Sequence, residues 1–186
     1  MRRLFFALWP DQAWCSRLID AAVPLVSAAG GRALAHSDLH VTLCFLGAVG
    51  EAPLAALYAR AGQIQASSFE LVFDRLEFWR EARILAATVA SVPPAGRALA
   101  EALATAARAA GLAPDVRAWR PHITLVRGAT GQRLPAELAG DAWPALQLGL
   151  PVSRFYLAES QGLGSQPGSG VEGRRYSTLA CWPLSP

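Results

Sequence analysis

Short apolar stretches alternate along this chain with longer stretches in which apolar residues recur at helical spacing. The apolar run at residues 4–8 predicts a strand. Pro10-Asp11 begins a helix that extends to about residue 28, with apolar residues three or four positions apart, and Gly30-Gly31 ends it. The chain therefore opens with a strand followed by an amphipathic helix.

The same alternation continues to the end of the chain. Further strands are predicted at residues 39–46, 69–73, 76–79, 83–89, 119–127, 146–150, 154–159 and 176–182, and the first of these is expected to stop at Gly47. Helices are predicted at 53–65 and 96–110, with a short one at 134–138, and the glycine-rich segment 161–173 predicts a mobile loop. This order of elements is typical of an α+β protein with two antiparallel sheets.

Composition indicates one compact domain over residues 1–186. The chain is 53% apolar with a mean hydropathy of +0.26, which is enough to bury a core. No apolar run approaches the roughly 18 to 20 residues of a membrane span, and the apolar start after Arg2-Arg3 is interrupted by Pro10 and Asp11. We expect a cytoplasmic protein without membrane attachment, acting as a monomer.

Cysteine and histidine usage argues against a metal centre. The three cysteines, Cys15, Cys44 and Cys181, are scattered without C-x-x-C spacing, so we expect reduced, buried thiols. With three histidines and no carboxylates clustered beside them, neither a metal nor a cofactor is expected. The net charge of +3, carried by arginine without lysine, permits nucleic-acid binding without requiring it.

A repeated tetrapeptide is the strongest chemical signal. His40-Val41-Thr42-Leu43 returns as His122-Ile123-Thr124-Leu125, 82 residues later. Because successive strand side chains point to opposite faces, each copy presents an imidazole and a hydroxyl on one face and two aliphatic side chains on the other. A single His-x-Thr is more often structural, but two copies among only three histidines predict one active site built from two halves.

The third histidine and the tryptophans have simpler structural interpretations. His36 lies in a segment that does not recur, so we expect it on a surface loop. Four tryptophans share no common spacing and are expected to pack in the core or at strand edges rather than bind a base: Trp79, Trp119, Trp143 and Trp182.

Longer sequence segments around the two motifs resemble those of a known family. They are Arg3-Leu4-Phe5-Phe6-Ala7-Leu8, Leu39-His40-Val41-Thr42-Leu43-Cys44-Phe45-Leu46-Gly47, Arg120-Pro121-His122-Ile123-Thr124-Leu125-Val126-Arg127 and Tyr176-Ser177-Thr178-Leu179 with Trp182-Pro183-Leu184. The chain resembles the two-histidine phosphoesterase superfamily, and within it the RNA 2′,3′-cyclic phosphodiesterases once called 2′-5′ RNA ligases. This implies a bilobal fold with two pseudo-symmetric antiparallel sheets, helices outside and a central cleft.

The resemblance also implies roles for individual residues. His40 would be the proton donor and His122 the proton acceptor in metal-independent hydrolysis of RNA 2′,3′-cyclic phosphate ends to 2′-phosphomonoesters. Thr42 and Thr124 can donate hydrogen bonds to phosphate oxygens. Phe45 and Arg127, each five residues after a histidine, match positions that hold a base or phosphate, although an ideal strand puts them on the face opposite the histidines or just past the strand end.

Arg120 is a further candidate, because an ideal strand places it on the same face as His122. Three alternatives stay open: reversible 2′-5′ RNA ligation, hydrolysis of cyclic nucleotides on the same fold, and an RNA-binding module without catalysis. The 161–173 loop is interpreted as an insertion rather than a lid over RNA.

Overall fold

The computed structural model describes residues 1–115, 117–135, 146–161 and 175–186. Within them it has ten strands, β1 (Arg2–Leu8), β2 (Arg32–Ala33), β3 (Val41–Val49), β4 (Phe69–Phe73), β5 (Arg75–Trp79), β6 (Ile84–Thr88), β7 (His122–Arg127), β8 (Leu148–Val152), β9 (Arg154–Ser160) and β10 (Tyr176–Pro183). The α-helices in this described part of the chain are α1 (Gln12–Ala29), α2 (Glu51–Ala61) and α3 (Pro94–Ala109). Trp143 and nearly all of the predicted 161–173 loop lie outside the described residues, as do residues 136–138 of the predicted short helix.

Local sequence accounts for most element boundaries. The Asp11 carboxylate accepts a hydrogen bond from the Trp14 amide at 2.7 Å and so caps α1 at its start. Gly30, with a φ of 64°, ends that helix as predicted. Strand β7 begins at His122 rather than at residue 119, because Pro121 has no amide hydrogen for the sheet.

The prediction that the first histidine strand stops at Gly47 is wrong. Gly47 has a φ of 73°, which glycine adopts at little cost, and β3 continues beyond it to Val49. The continuation remains paired to β1, with Val49 opposite Arg2. Gly47 is therefore an irregularity inside the strand rather than its end.

Eight strands form one antiparallel sheet in the order β10-β9-β1-β3-β7-β6-β5, with β2 paired to β7, and β4 and β8 form a separate two-stranded sheet. The β3 and β7 strands pair only at Val41 and Ile123. The large sheet is thus two antiparallel half-sheets that join side by side at a single residue pair. The predicted α+β class is confirmed, and the histidine strands are neighbours at the centre of the sheet.

The core lies on one face of this sheet. Alternate strand residues such as Leu4, Phe6, Val41 and Ile123 are fully buried and belong to one apolar cluster with residues of all three helices. The opposite face carries His40, Thr42, His122 and Thr124, all partly exposed. Helices α1, α2 and α3 therefore pack on the face opposite the histidines.

Candidate active site

The same backbone contact holds both histidine rings. His40 Nδ1 lies 2.7 Å from the carbonyl oxygen of Asp38, and His122 Nδ1 lies 2.8 Å from that of Arg120, in each case two residues earlier in the chain. A carbonyl oxygen only accepts, so Nδ1 carries the proton and donates it. In the neutral rings, Nε2 is then the unprotonated nitrogen and is available to a ligand.

The predicted motif residues meet around one small cavity. His40, Thr42, His122 and Thr124 all line it, together with Leu34, Asp38 and Arg127. Its volume is about 40 Å³, whereas about 10 to 15 Å³ is enough to hold one water. A small polar group can therefore sit between the histidines.

An identical irregularity interrupts both histidine strands. The consecutive β1 residues Phe6 and Ala7 pair with Cys44 and Thr42 of β3, so the pairing passes over Leu43. In the same way, the consecutive β6 residues Leu85 and Ala86 pair with Val126 and Thr124 of β7, so the pairing passes over Leu125. Each skipped residue comes three positions after its histidine, and such a β-bulge shifts the alternation of side chains by one.

The bulges overturn the expected placement of the residues five positions after each histidine. In both strands two consecutive residues are buried at the bulge, and the next residue, Phe45 or Arg127, is more exposed. Arg127 thereby lines the cavity on the histidine face. Phe45 packs against the buried cluster of Phe5, Ala7 and Ala158, with the Arg3 guanidinium 5.0 Å from its ring centre, but it does not line the cavity.

The Arg120 side chain does not line the cavity, although it lies near His122, as expected for a residue on the same strand face, because the Trp79 ring that it covers also contacts His122. It precedes β7 and forms an ion pair with Glu77, and its guanidinium lies 4.3 Å from the centre of the Trp79 ring. Its contribution to His122 is the carbonyl oxygen that accepts from Nδ1.

Aromatic rings that the sequence analysis did not select surround the histidines. The His40 ring centre lies 5.1 Å from Phe5, 5.0 Å from Trp9 and 4.7 Å from Tyr176. The available signal was the alternation of Phe5, Ala7 and Trp9 at the end of the first strand, which places both rings on one face once β1 is known to pair with β3.

The interpretation of the tryptophans as packing residues holds for two of them. Trp182 stacks on Phe155 with ring centres 5.3 Å apart, and Trp119 packs against the core while its indole donates to the Thr42 carbonyl at 2.8 Å. Trp79 differs, because its ring centre lies 4.7 Å from that of His122. His36 is exposed, as predicted.

Burial and positive charge keep both imidazoles neutral in the free protein. Burial lowers the pKa of His40 to about 4, an effect that the hydrogen bond to Asp38 opposes and the charge of Arg127 reinforces. Burial also lowers the pKa of His122, with Arg120 and Arg127 acting in the same direction and Glu77 opposing them. A bound anion would favour the protonated form of either ring.

The remaining sequence expectations concern cysteines, metals and membranes. Cys15 and Cys44 are buried, and burial raises the pKa of each thiol to about 11, whereas Cys181 is exposed, contrary to expectation. The described residues contain no group of three or more His, Cys, Asp or Glu side chains placed to hold a metal ion. In the same part of the chain, no helix combines the length and apolar character needed to cross a membrane.

Two half-sheets that each bring a His-x-Thr pair to one cavity define a two-histidine phosphoesterase. Comparison with known proteins gives the family: the model of the 2′-5′ RNA ligase superfamily matches residues 9–163, and the chain belongs to that superfamily. An Escherichia coli K12 protein named RNA 2′,3′-cyclic phosphodiesterase is 30% identical over 99% of this chain and 97% of its own length.

Solved structures show the same fold over the full length. The crystal structure of Escherichia coli LigT complexed with 3′-AMP superposes with a TM-score of 0.81 at 30% identity, covering 100% of this chain and 99% of that one. A structure described as a phosphoesterase superposes with a TM-score of 0.80 at 29% identity over 100% and 99% of the two chains. The predicted family and fold are therefore confirmed.

Proposed function

We propose that this protein hydrolyses 2′,3′-cyclic phosphate ends of RNA to 2′-phosphomonoesters, without a metal, by paired histidine acid–base catalysis. The observation that carries the proposal is the convergence of His40 and His122 on one cavity, each fixed through Nδ1. The relative named RNA 2′,3′-cyclic phosphodiesterase supports the substrate class.

The reaction needs one proton removed and one delivered. His122 takes a proton from a water molecule through Nε2 as the water oxygen forms a bond to phosphorus. The bond between phosphorus and the ribose 3′ oxygen breaks, and His40, protonated at Nε2, gives its proton to that oxygen. The products are a 2′-phosphate and a 3′-hydroxyl, and the two histidines have exchanged protonation states.

The low pKa of His40 makes substrate binding part of its activation. In the free protein the ring is neutral near pH 7, but the cyclic phosphate carries a negative charge into the same cavity. That charge raises the proton affinity of a neighbouring imidazole. His40 therefore acquires its proton when the anion binds.

Thr42, Thr124 and Arg127 complete the site around the phosphate. All three line the cavity. The hydroxyls can donate to the non-bridging oxygens, and the guanidinium supplies charge-assisted hydrogen bonds, so charge that develops on these oxygens in the transition state is stabilised. Phe45 flanks this arrangement on the same face and is partly exposed, so its ring can contact a base.

Incubation of an oligoribonucleotide bearing a 2′,3′-cyclic phosphate, with and without EDTA, tests the proposal. We expect conversion to a 2′-phosphate at the same rate in both conditions. His122→Ala should slow conversion by about 100-fold or more, whereas His36→Ala, which removes an exposed imidazole, should retain it. Loss of activity in EDTA, or a 3′-phosphate product, would contradict the proposed chemistry.

The same assay separates the alternatives. A cyclic mononucleotide hydrolysed faster than the oligonucleotide would favour a nucleotide phosphodiesterase, and joining of a 5′-hydroxyl RNA would favour ligation. RNA affinity that survives His40→Ala and His122→Ala, without turnover by the wild-type protein, would identify a binding module.

We also propose that residues 1–186 act as one bilobal, monomeric, cytoplasmic domain. The measurement is light scattering of the purified chain, where a mass near 19.7 kDa is expected for one copy. A mass of twice that value would contradict the monomer.

A further inference from the structure

His122 is surrounded by a set of side chains that the reaction as written does not use. Glu77 and Trp79 lie on β5, Thr88 lies on β6, and Arg120 precedes β7. We refer to these four residues as the Glu77 cluster. Their positions follow from the register, because Thr88 is directly opposite His122 and Glu77 is opposite Ala86, which is in turn opposite Thr124.

Glu77 binds the other three members of the cluster. Its Oε1 accepts a hydrogen bond from Thr88 Oγ1 at 2.8 Å, and its Oε2 accepts from Trp79 Nε1 at 2.7 Å. The Arg120 guanidinium also donates to Oε2. Ala86, fully buried and small, separates Glu77 from the site strand.

The carboxylate is ionised and held by its partners. Burial alone would raise the pKa of Glu77, but the hydrogen bonds from Trp79 and Thr88 and the charges of Arg120 and Arg75 outweigh it and lower the pKa below its usual range. Glu77 is therefore a fixed negative charge two strands from the cavity.

Each residue that Glu77 binds also lies next to His122. The Trp79 ring centre is 4.7 Å from the imidazole, and the Arg120 carbonyl accepts from Nδ1 at 2.8 Å. The Arg120 guanidinium lies over the Trp79 ring, so the two are fixed to one another as well. Thr88 is the register partner of His122 on the neighbouring strand.

His40 is held in another way. Phe5, Trp9 and Tyr176 pack around it, and its side-chain hydrogen bond goes to a backbone carbonyl. The two histidines thus share the contact at Nδ1 and differ in what surrounds the rest of the ring. A change at Glu77 should consequently act on one of the two proton carriers.

We propose that Glu77 is a positioning residue for His122, acting by fixing Trp79 and Arg120 against the imidazole. Glu77 does not line the cavity, so it does not touch the reacting atoms. The inference rests on the proposed function for its kinetic consequences, but the orientation and protonation of His122 can be measured without a substrate.

The test compares Glu77→Ala and Glu77→Gln with Glu159→Ala. Glu159 is a matched control, because it also pairs with an arginine on a neighbouring strand, Arg2, and lies in the other half-sheet. Glu77→Ala should lower kcat about 10- to 100-fold, the range expected when a reacting group is slightly misplaced, with little change in KM. Glu77→Gln, which can still accept from Trp79 or Thr88, should lose less, and Glu159→Ala should match the wild type.

Nuclear magnetic resonance titration of the histidine rings gives the substrate-free measurement. The charged groups that face His122 are Arg120 and Glu77 from the cluster, Arg127 from its own strand and, when protonated, His40 from β3. Removing the Glu77 carboxylate takes away the negative charge that opposes the effect of Arg120 and Arg127 on the pKa of His122. The titration of His122 should therefore move to lower pH in Glu77→Ala, and that of His40 should stay in place.

The outcomes separate this inference from the proposed function. Wild-type kcat and an unchanged His122 titration in both Glu77 variants would overturn the positioning role. Equal shifts of both histidines, or a rise in KM alone, would also overturn it, because these indicate general damage. If wild type proves inactive on cyclic phosphate RNA, an unchanged His122 titration in both Glu77 variants still overturns the inference. Should Glu77→Ala fail to fold, Glu77→Gln and Trp79→Phe, which removes one donor to Glu77 and keeps a ring, carry the test.

Discussion

At the scale of single residues, the two imidazoles are chemically similar and placed in different surroundings. Both donate Nδ1–H to the carbonyl two residues earlier. His40 is enclosed by aromatic rings, and His122 adjoins charged side chains. Because of this difference, the protonation of the two rings responds to different neighbours, as the proposed acid and base roles require.

Replacement of either histidine by alanine should lower kcat by about 10²- to 10⁴-fold, the usual range for one general acid or base. This corresponds to roughly 3 to 5 kcal/mol of barrier. Thr124→Ala should cost less, about 10- to 100-fold, because Arg127 still contacts the phosphate. Steady-state kinetics on cyclic-ended RNA checks these values, and a His40→Ala enzyme within about threefold of wild type would disprove the acid role.

The pH dependence follows from the direction of both pKa shifts. The base must be neutral, so kcat/KM falls below the pKa of His122, which is under its usual 6.5. The acid must be protonated, so kcat/KM falls above the pKa of His40, about 4 in the free protein. The kcat/KM profile should therefore be a bell with its maximum below pH 6.5. The kcat profile should lie at higher pH, because the bound phosphate raises both pKa values.

Profiles measured at saturating and at limiting RNA concentrations check this expectation. A kcat/KM that rises continuously through pH 8 would contradict the paired roles. The control is a substrate with a faster leaving group, for which the basic limb should weaken because protonation of the leaving oxygen matters less.

The sequence predicted that the four motif residues meet at one place, because strand alternation puts His40 with Thr42 and His122 with Thr124 on one face, and all four line the same cavity. It did not predict the placement of Phe45 and Arg127, since a bulge has no clear signature in these apolar stretches. Trp9, Tyr176 and Glu77 were also missed. Their contacts with the histidines or with histidine neighbours depend on which strands pair, and that is a property of the whole sheet.

At the scale of elements, most helices and strands were predictable from apolar spacing with glycine and proline boundaries. The end of β3 was not, because Gly47 interrupts the strand without ending it. Another glycine has a more direct effect on the site. Gly31 has a φ of 87°, and a Cβ added there would lie 2.6 Å from the Arg127 carbonyl oxygen.

Gly31→Ala should therefore destabilise the fold and displace Arg127. We expect a loss of about 2 kcal/mol in the free energy of unfolding, from left-handed strain and the backbone clash, with an increase in KM for RNA. Gly111→Ala is the matched control, since Gly111 has a φ of 82° but its added Cβ would meet nothing within 4 Å. Equal effects of the two substitutions on KM would show that the Gly31 contact does not position Arg127.

At the scale of the whole molecule, the site is coupled to stability through protonation. In the unfolded chain His40 titrates near 6.5, whereas burial keeps it neutral in the fold down to about pH 4. Between these values the unfolded state binds more protons, so the free energy of unfolding decreases as pH falls from 6.5 to 4. His122 contributes in the same direction.

The size of this effect for His40 is at most about 3 kcal/mol. Urea unfolding at a series of pH values between 7 and 4 measures it. His40→Ala should reduce the slope, and His36→Ala, at an exposed position, should retain it. A wild-type slope in His40→Ala would show that the ring binds protons in the fold as readily as in the unfolded chain.

The bulges at Leu43 and Leu125 turn the fifth residue after each histidine to the histidine face, and here one repeat carries phenylalanine and the other arginine. The two halves of the site are thus alike in histidine and threonine and unlike in the side chain beside them, so the site has two chemically distinct ends.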